Sequence, residues 1–428
     1  MTTANVVHPT SALTSVQERL YRARTPTSAH MFQEARRYLP GGDSRSTLFY
    51  PPYPAVLDRG EGCVLVDVDG NRLLDFTGNH SALIHGYRHP VVLQAVWTQL
   101  EKGTAFPAPT EPQVTLARMI CGRIPSMQLL RFTNSGTEAL LNAVRGARAF
   151  TGRRAIARVE GSYHGTLEET MAEDHPDAVV LPFDDAEAAV RLIDREHGRL
   201  AAVLVEPVQG SAGMLPASAG YLKALREVTL HYGIMLVFDE VVSMRVAHGG
   251  AQQHFGVRPD LTCLGKLIGG GFPLGAFGGR ADVMELFDPS RGRPVVPHPG
   301  SFNANPISLA AGIATLELLP DSAIEALNRH GAALRLGIRE RLSVSNLPVQ
   351  VTGIGSLFAV HLTGEPVRTI RDANRSNATL RHRLFLGLYA GGILIDPRGV
   401  GTLSTVIGNE EIDQFLIVLE QVGRELIR

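Results

Sequence analysis

Lysine is nearly missing from this 428-residue chain: Lys102, Lys223 and Lys266 stand beside 38 arginines. Chemistry that needs a side-chain primary amine therefore has three candidates. Cysteine is equally scarce. Cys63, Cys121 and Cys263 lie far apart, which excludes a disulfide framework and offers no metal-ligand spacing. Reduced thiols in a cytoplasmic protein are the expectation. Excess charge is absent too, with 41 basic against 42 acidic residues, so nothing favours nucleic acid or an anionic membrane as partner. No run approaches the roughly 18 apolar residues of a membrane span. The first twenty residues are polar and mixed, without the apolar stretch of a secretory signal. Internal repeats and low-complexity linkers are lacking as well. What remains is length enough for a large α/β core and a smaller second domain. The expected partners are small molecules or another copy of the chain.

A helix is expected over residues 31–38, stopped by Pro40-Gly41-Gly42. Two short apolar runs within 64–76 flank Asp69-Gly70-Asn71 and predict a hairpin. Strands follow at 155–159, 201–205 and 234–238, with a helix over 221–232 between the last two. This alternation implies βαβ units and a mostly parallel sheet. A long amphipathic helix over 323–342 opens a smaller α+β region. The boundaries read as an N-terminal segment, 1–75, belonging to the small domain, a large domain, 76–320, and a C-terminal small domain, 321–428.

In open α/β sheets ligands sit beyond the carboxyl ends of the strands. Glu206 and Asp239 follow apolar runs and occupy such ends. A carboxylate at Asp239 would suit a protonated ring nitrogen; a helix cap or a salt bridge reads the same way. Asn134-Ser135-Gly136-Thr137-Glu138 precedes a helical run, 139–150. Free N–H groups and the helix dipole there would hold a phosphate, although a plain cap has the same sequence. Lys266 lies in Leu264-Gly265-Lys266-Leu267-Ile268-Gly269-Gly270-Gly271, an apolar and glycine-rich setting that favours a neutral, nucleophilic amine. Lys102 and Lys223 lie in polar helical contexts and read as solvated. Tyr163, in Tyr163-His164-Gly165, could stack on a flat ring. Residues 300–306, before another helix, offer a second phosphate contact or merely a cap. A phosphate cradle, an aromatic plate, a pyridinium partner and an imine-forming amine are together the parts of a pyridoxal-phosphate (PLP) site.

From about residue 30 onward the chain resembles the class III aminotransferases of PLP fold type I, near glutamate-1-semialdehyde aminomutase and its aminotransferase relatives. The matching stretches are RFTNSGTEA (131–139), EGSYHG (160–165), EPVQG (206–210), FDEVVSMR (238–245), PDLTCLGKLIGGGFPLGAFGG (259–279) and GSFNANP (300–306). The resemblance implies an α/β fold whose large domain carries a mostly parallel seven-stranded sheet. It implies that Lys266 is the Schiff-base lysine and proton shuttle and that Asp239 partners the pyridine nitrogen. Val241 and Tyr163 would lie on the two ring faces, Glu206 would sit at the cofactor site, and Ser135, Gly136 and Thr137 would hold the phosphate. Ser301 stands where relatives usually have threonine and would reach the phosphate of a neighbouring subunit in a homodimer. An amino donor and a 2-oxo acid are the implied substrates.

Departures from the family narrow the choice. The aminomutase's Ser-rich, Phe-Glu C-terminal motif is unmatched, and the chain reads IDPRGVGTLS at 395–404. Ser211 replaces the glutamate that gates the second substrate in ornithine aminotransferase. GGDSRSTLFYPPYP (41–54) resembles β-amino-acid aminotransferases, including those acting on β-phenylalanine, in which the arginine matching Arg45 binds the substrate carboxylate. Arg398 is a second candidate for that bidentate task; either arginine could instead form a surface salt bridge. The expected activity is transamination of a β-amino acid or related amine-bearing acid. Semialdehyde aminomutase is the runner-up, followed by other PLP chemistry such as racemisation or decarboxylation.

Overall fold

A computed structural model of the chain describes residues 14–172 and 175–427. Its centre is a seven-stranded sheet of β1 (Leu129–Thr133), β2 (Ala155–Val159), β3 (Ala178–Leu181), β4 (Leu200–Val205), β5 (Met235–Asp239), β6 (Leu261–Leu264) and β7 (Gly275–Gly279). The spatial order is β1-β7-β6-β5-β4-β2-β3, and β7 alone runs antiparallel to its neighbours. Strands β2, β4, β5 and β6 are buried along their whole length. That explains why β4 and β5 read as near-continuous apolar runs rather than alternating patterns, while β2 and β6 each carry one buried polar residue, Arg158 and Thr262.

Helices cover the sheet. Gly136–Thr151 begins at a Ser135 cap, buries Ala139, Leu140, Ala143, Val144 and Ala147, and ends at left-handed Gly152. Ala219–His231 links β4 to β5 and buries Tyr221, Leu222 and Leu225. The expected hairpin is present: Val64–Asp67 pairs antiparallel with Arg72–Asp75. A strand from the other end of the chain, Ile393–Leu394, adds to it in parallel. Tyr389 reinforces the junction by donating to Asp67 Oδ2 at 2.6 Å. A second sheet of Gln350–Thr352, Leu357–His361 and Val400–Thr402 packs beside the 24-residue helix Asp321–Val344.

One expectation was misplaced. The helix assigned to 31–38 runs from Pro26 to Ala35. Leu39, ahead of Pro40, is extended, because the proline ring disfavours helical backbone before it, and the helix unwinds over the preceding turn. Among the described residues no single helix is long and apolar enough to cross a membrane.

Candidate active site

The carboxyl edges of β4, β5 and β6 deliver Glu206, Asp239 and Lys266 to one place. Asp239 is the last residue of β5 and is buried. Its Oδ2 lies 2.9 Å from His164 Nδ1, and its Oδ1 accepts the Val241 N–H at 3.1 Å. His164 is itself buried, and its Nε2 has no hydrogen-bond partner among the described residues. Glu206 directs its carboxylate to backbone: Oε1 accepts from Tyr163 N–H at 2.6 Å and Oε2 from Gly210 N–H at 3.1 Å. It therefore holds the loop that carries Tyr163. Burial, reinforced by the charge on Asp239, pushes its pKa up to about 7.

Lys266 follows β6 and Gly265, in a left-handed conformation with φ 49°. A lysine in that region is uncommon and costs about 1–3 kcal/mol, so the surrounding packing must hold it there. Burial lowers the pKa of its amine, with Asp239 and Glu206 opposing and Arg398 assisting that shift. An amine that deprotonates more readily is the better nucleophile toward a carbonyl. Lys102 and Lys223 are both exposed, as their contexts implied.

The phosphate turn meets the same centre. Ser135 Oγ accepts Glu138 N–H at 3.2 Å, and Glu138 Oε2 in return accepts Asn134 N–H at 2.5 Å. The N–H groups of Gly136 and Thr137 lie outside these cap bonds, at the positive end of a 16-residue helix. A Cβ on Gly136 would stand 2.8 Å from Val241, and one on Gly265 would stand 3.3 Å from it. Gly165, with φ +74°, crosses Thr137 so closely that a Cβ there would sit 2.1 Å from Thr137 Oγ1. The phosphate turn, Val241 and the lysine loop are thus packed backbone against side chain. Donors for a phosphate, a buried carboxylate for a ring nitrogen and a half-buried lysine amine lie together, and this donor set fits PLP.

The comparisons agree with that geometry. Residues 49–188 and 175–422 match the model of the family described as aminotransferase class III. The chain belongs to the class III aminotransferases. It is 41% identical to a β-phenylalanine transaminase from Variovorax paradoxus, over 94% of this chain and 93% of that protein. It is 40% identical to a glutamate-1-semialdehyde 2,1-aminomutase from Methanothermobacter thermautotrophicus, over 92% and 98% respectively. An ω-transaminase structure from Sphaerobacter thermophilus superposes with a TM-score of 0.92 at 41% identity, covering 96% of this chain and all of that one. The cofactor of this aminotransferase is pyridoxal phosphate, and its fold is PLP fold type I.

The remaining candidates are more exposed. Tyr163 is 42% exposed. Ser301 is exposed on the turn before helix Pro306–Glu317; two residues on, Asn303 accepts from Asn134 Nδ2 at 3.0 Å. Arg398 forms a bidentate pair with buried Asp396, Nε to Oδ1 and Nη2 to Oδ2, both at 2.9 Å, leaving Nη1 outside the pair. Arg45 is exposed and donates from Nη1 to Asn79 Oδ1 at 3.1 Å.

Asn79 belongs to a feature that sequence reasoning missed. Gly78, Asn79, His80 and Ser81 are four consecutive left-handed residues. Asp75 Oδ2 accepts the Gly78 N–H at 3.1 Å, and the fully buried Arg245 reaches the Ser81 carbonyl while also bonding Ser356 Oγ at 2.9 Å and the Leu403 carbonyl. The turn presents His80, whose Nδ1 lies 3.6 Å from Asp396 Oδ2. Burial lowers the His80 pKa. Asp396 raises it, and Arg398, Arg45 and Lys266 lower it further, so the ring has both candidate arginines and the lysine as electrostatic neighbours. His164 was visible inside the EGSYHG stretch, but its bond to Asp239 was not. The only local signals for the turn at 78–81 are Gly78 and Asn79, the two residue types that tolerate left-handed backbone, and neither predicts that His80 and Ser81 follow them.

Proposed function

We propose that this aminotransferase takes the amino group from a β-amino acid, or a closely related amine-bearing acid, and gives it to a 2-oxo acid. The observation that carries this reading is Arg45, tied to Asn79 beside His80, on the side of the site where His80 also has Lys266 and Arg398 as neighbours. A guanidinium fork there suits a carboxylate, and the likeness to a β-phenylalanine transaminase supports the same class of donor.

Bound pyridoxal phosphate supplies a carbonyl for the incoming amine and a ring that accepts an electron pair. The protein supplies the rest. The N–H groups of Gly136 and Thr137, with the Ser135 turn, would hold the phosphate. Asp239, steadied by His164, would keep a proton on the ring nitrogen. Val241 and Tyr163 would bracket the ring. Lys266 Nζ would accept the proton from the donor's amine-bearing carbon and deliver it to the cofactor's carbonyl carbon, so that the donor leaves as a carbonyl compound and its amino group stays behind. Arg398 would serve the carboxylate of the 2-oxo acid through the face that Asp396 leaves open.

The same reading includes a homodimer. Trp97, Phe106 and Phe302 are 63%, 45% and 62% exposed around the packed helices Pro90–Lys102 and Pro306–Glu317. A second copy covering this surface would bring Ser301 to the partner's phosphate turn; light scattering on the holoenzyme tests the mass.

The deciding experiment mixes holoenzyme with single donors and follows conversion of the cofactor from its yellow carbonyl form to its amine form. β-Amino acids are expected to drive it, and a 2-oxo acid to reverse it. Conversion by α-amino acids or simple amines alone would overturn the donor class. Isomerisation of glutamate-1-semialdehyde without consumption of any acceptor would return the aminomutase reading, which the Methanothermobacter relative keeps in view.

A further inference from the structure

Only one of the three guanidinium nitrogens of Arg45 is committed. Nη1 donates to Asn79 Oδ1 at 3.1 Å, while Nε and Nη2 have no partner among the described residues. Nε and Nη2 form the parallel edge of a guanidinium, which grips a carboxylate through two bonds at once. Two other arginines of this chain show that edge in use. Arg398 sets Nε and Nη2 on the two oxygens of Asp396, and Arg280 sets the same pair on Asp282 at 3.1 and 2.6 Å. Asn79 therefore occupies the one nitrogen of Arg45 that this edge does not need.

The holder is also uncharged. Arginine only donates, so the amide oxygen of Asn79 has to face it. The amide gives direction to a long, exposed side chain without neutralising it. Among the described residues Arg45 forms no ion pair; Asp43, two positions away, accepts the Arg45 backbone N–H at 2.7 Å instead. An aspartate in place of Asn79 would cancel the charge that a carboxylate ligand needs.

The place of Asn79 is enforced. It has φ 49°, which asparagine tolerates, but His80 at 54° and Ser81 at 72° follow it into the same region without that tolerance. At the entry, buried Asp75 accepts Thr77 N–H at 2.7 Å and Gly78 N–H at 3.1 Å. At the exit, Ser81 N–H returns to the Thr77 carbonyl at 2.9 Å, and buried Arg245 reaches the Ser81 carbonyl at 3.5 Å from its anchor on Ser356. Left-handed backbone of this kind persists only where the surroundings hold it, and it gathers at functional sites.

We propose that Asn79 is a positioning residue: from this clamped turn its amide aims the Nε and Nη2 edge of Arg45 at the carboxylate of the amino donor and leaves the charge whole. This rests on the β-amino-acid reading above, in which Arg45 takes that carboxylate.

The test compares Asn79→Gly and Asn79→Asp holoenzymes with 3-aminobutanoate and 3-amino-3-phenylpropanoate as donors. Glycine and aspartate both accept left-handed backbone, so both variants keep the turn. Asn79→Gly is expected to raise donor KM about three- to tenfold with kcat close to wild type. Asn79→Asp, nearly the same in shape, is expected to raise it further, about tenfold or more, because the new carboxylate competes with the donor's for the guanidinium. In an Arg45→Ala background, Asn79→Gly should change donor KM less than about twofold. A purely structural asparagine gives the reverse order, with Asn79→Asp near wild type and Asn79→Gly worse, and gives it with or without Arg45. That outcome, or an unchanged KM in both variants while Arg45→Ala raises it, overturns the positioning role. Failure of both donors, or a donor KM that Arg45→Ala leaves unaltered, overturns the β-amino-acid reading instead.

Discussion

Beside Lys266, Asp239, Glu206 and His164 are buried and their polar atoms are largely committed, whereas Arg45 is exposed and its partner Asn79 lies in a run of four left-handed residues. Asp239, Glu206 and His164 stand at the ends of central strands or on the loops just beyond them, and bond to one another or to backbone. Arg45, His80 and Arg398 come from segments far apart in the chain, and they meet at a four-residue left-handed turn and one buried aspartate. The sheet gives the reaction a rigid seat. The substrate side is assembled from chain ends that can change without disturbing it, which is how one scaffold serves aminomutases and transaminases alike.

The sharpest break of this contrast is Lys266→Ala. Turnover should fall more than about a thousandfold, and borohydride reduction should no longer fix cofactor to the chain. Covalent fixation at Lys102 or Lys223 in that variant would refute the assignment. Asp239→Asn comes next, with kcat down about a hundredfold and a much smaller change in donor KM, since the loss falls on charge that develops during the reaction. Arg45→Ala should show the opposite division. Donor KM rises about ten- to a hundredfold while kcat stays near wild type, and Arg45→Lys recovers only part of the loss. An equal fall in kcat would place Arg45 with the reaction centre rather than with the substrate side.

The smallest effect concerns stability, and here the two regions should differ in sign. His80→Gly relieves left-handed strain and should leave the chain as stable or more stable by up to about 1 kcal/mol. His164→Ala strips a buried carboxylate of a partner and should destabilise by about 1–3 kcal/mol. Denaturant titration of both variants measures the contrast, and a destabilised His80→Gly would mean that the ring's contacts outweigh the strain.

The rigid region is largely legible in the amino-acid sequence. Lys266 stands out by scarcity and by its glycine-rich, apolar setting. Asp239 and Glu206 follow apolar runs, and the helix after Ser135 carries its own cap. These signals are local, because strands, caps and tight turns depend on residues a few positions apart. His80 gives no such signal. Its role depends on Arg45, Asp396, Arg398 and Lys266, the nearest of them 35 positions away in sequence. Arg245 closes the FDEVVSMR stretch, yet its support of the Ser81 carbonyl is a contact between segments 164 positions apart. The helix placed at 31–38 failed for a local reason, the reach of Pro40 back through Leu39.

By itself, then, the sequence determined the cofactor chemistry of this aminotransferase: one lysine in an apolar glycine-rich loop, one aspartate at a strand end and one capped helix start specify a PLP site through short-range rules. The tertiary structure alone decided what surrounds that site. A left-handed turn and the aspartate-paired arginine beside it come together only when the two ends of the chain share a sheet, because contacts between distant segments have no periodicity or spacing from which they could be read.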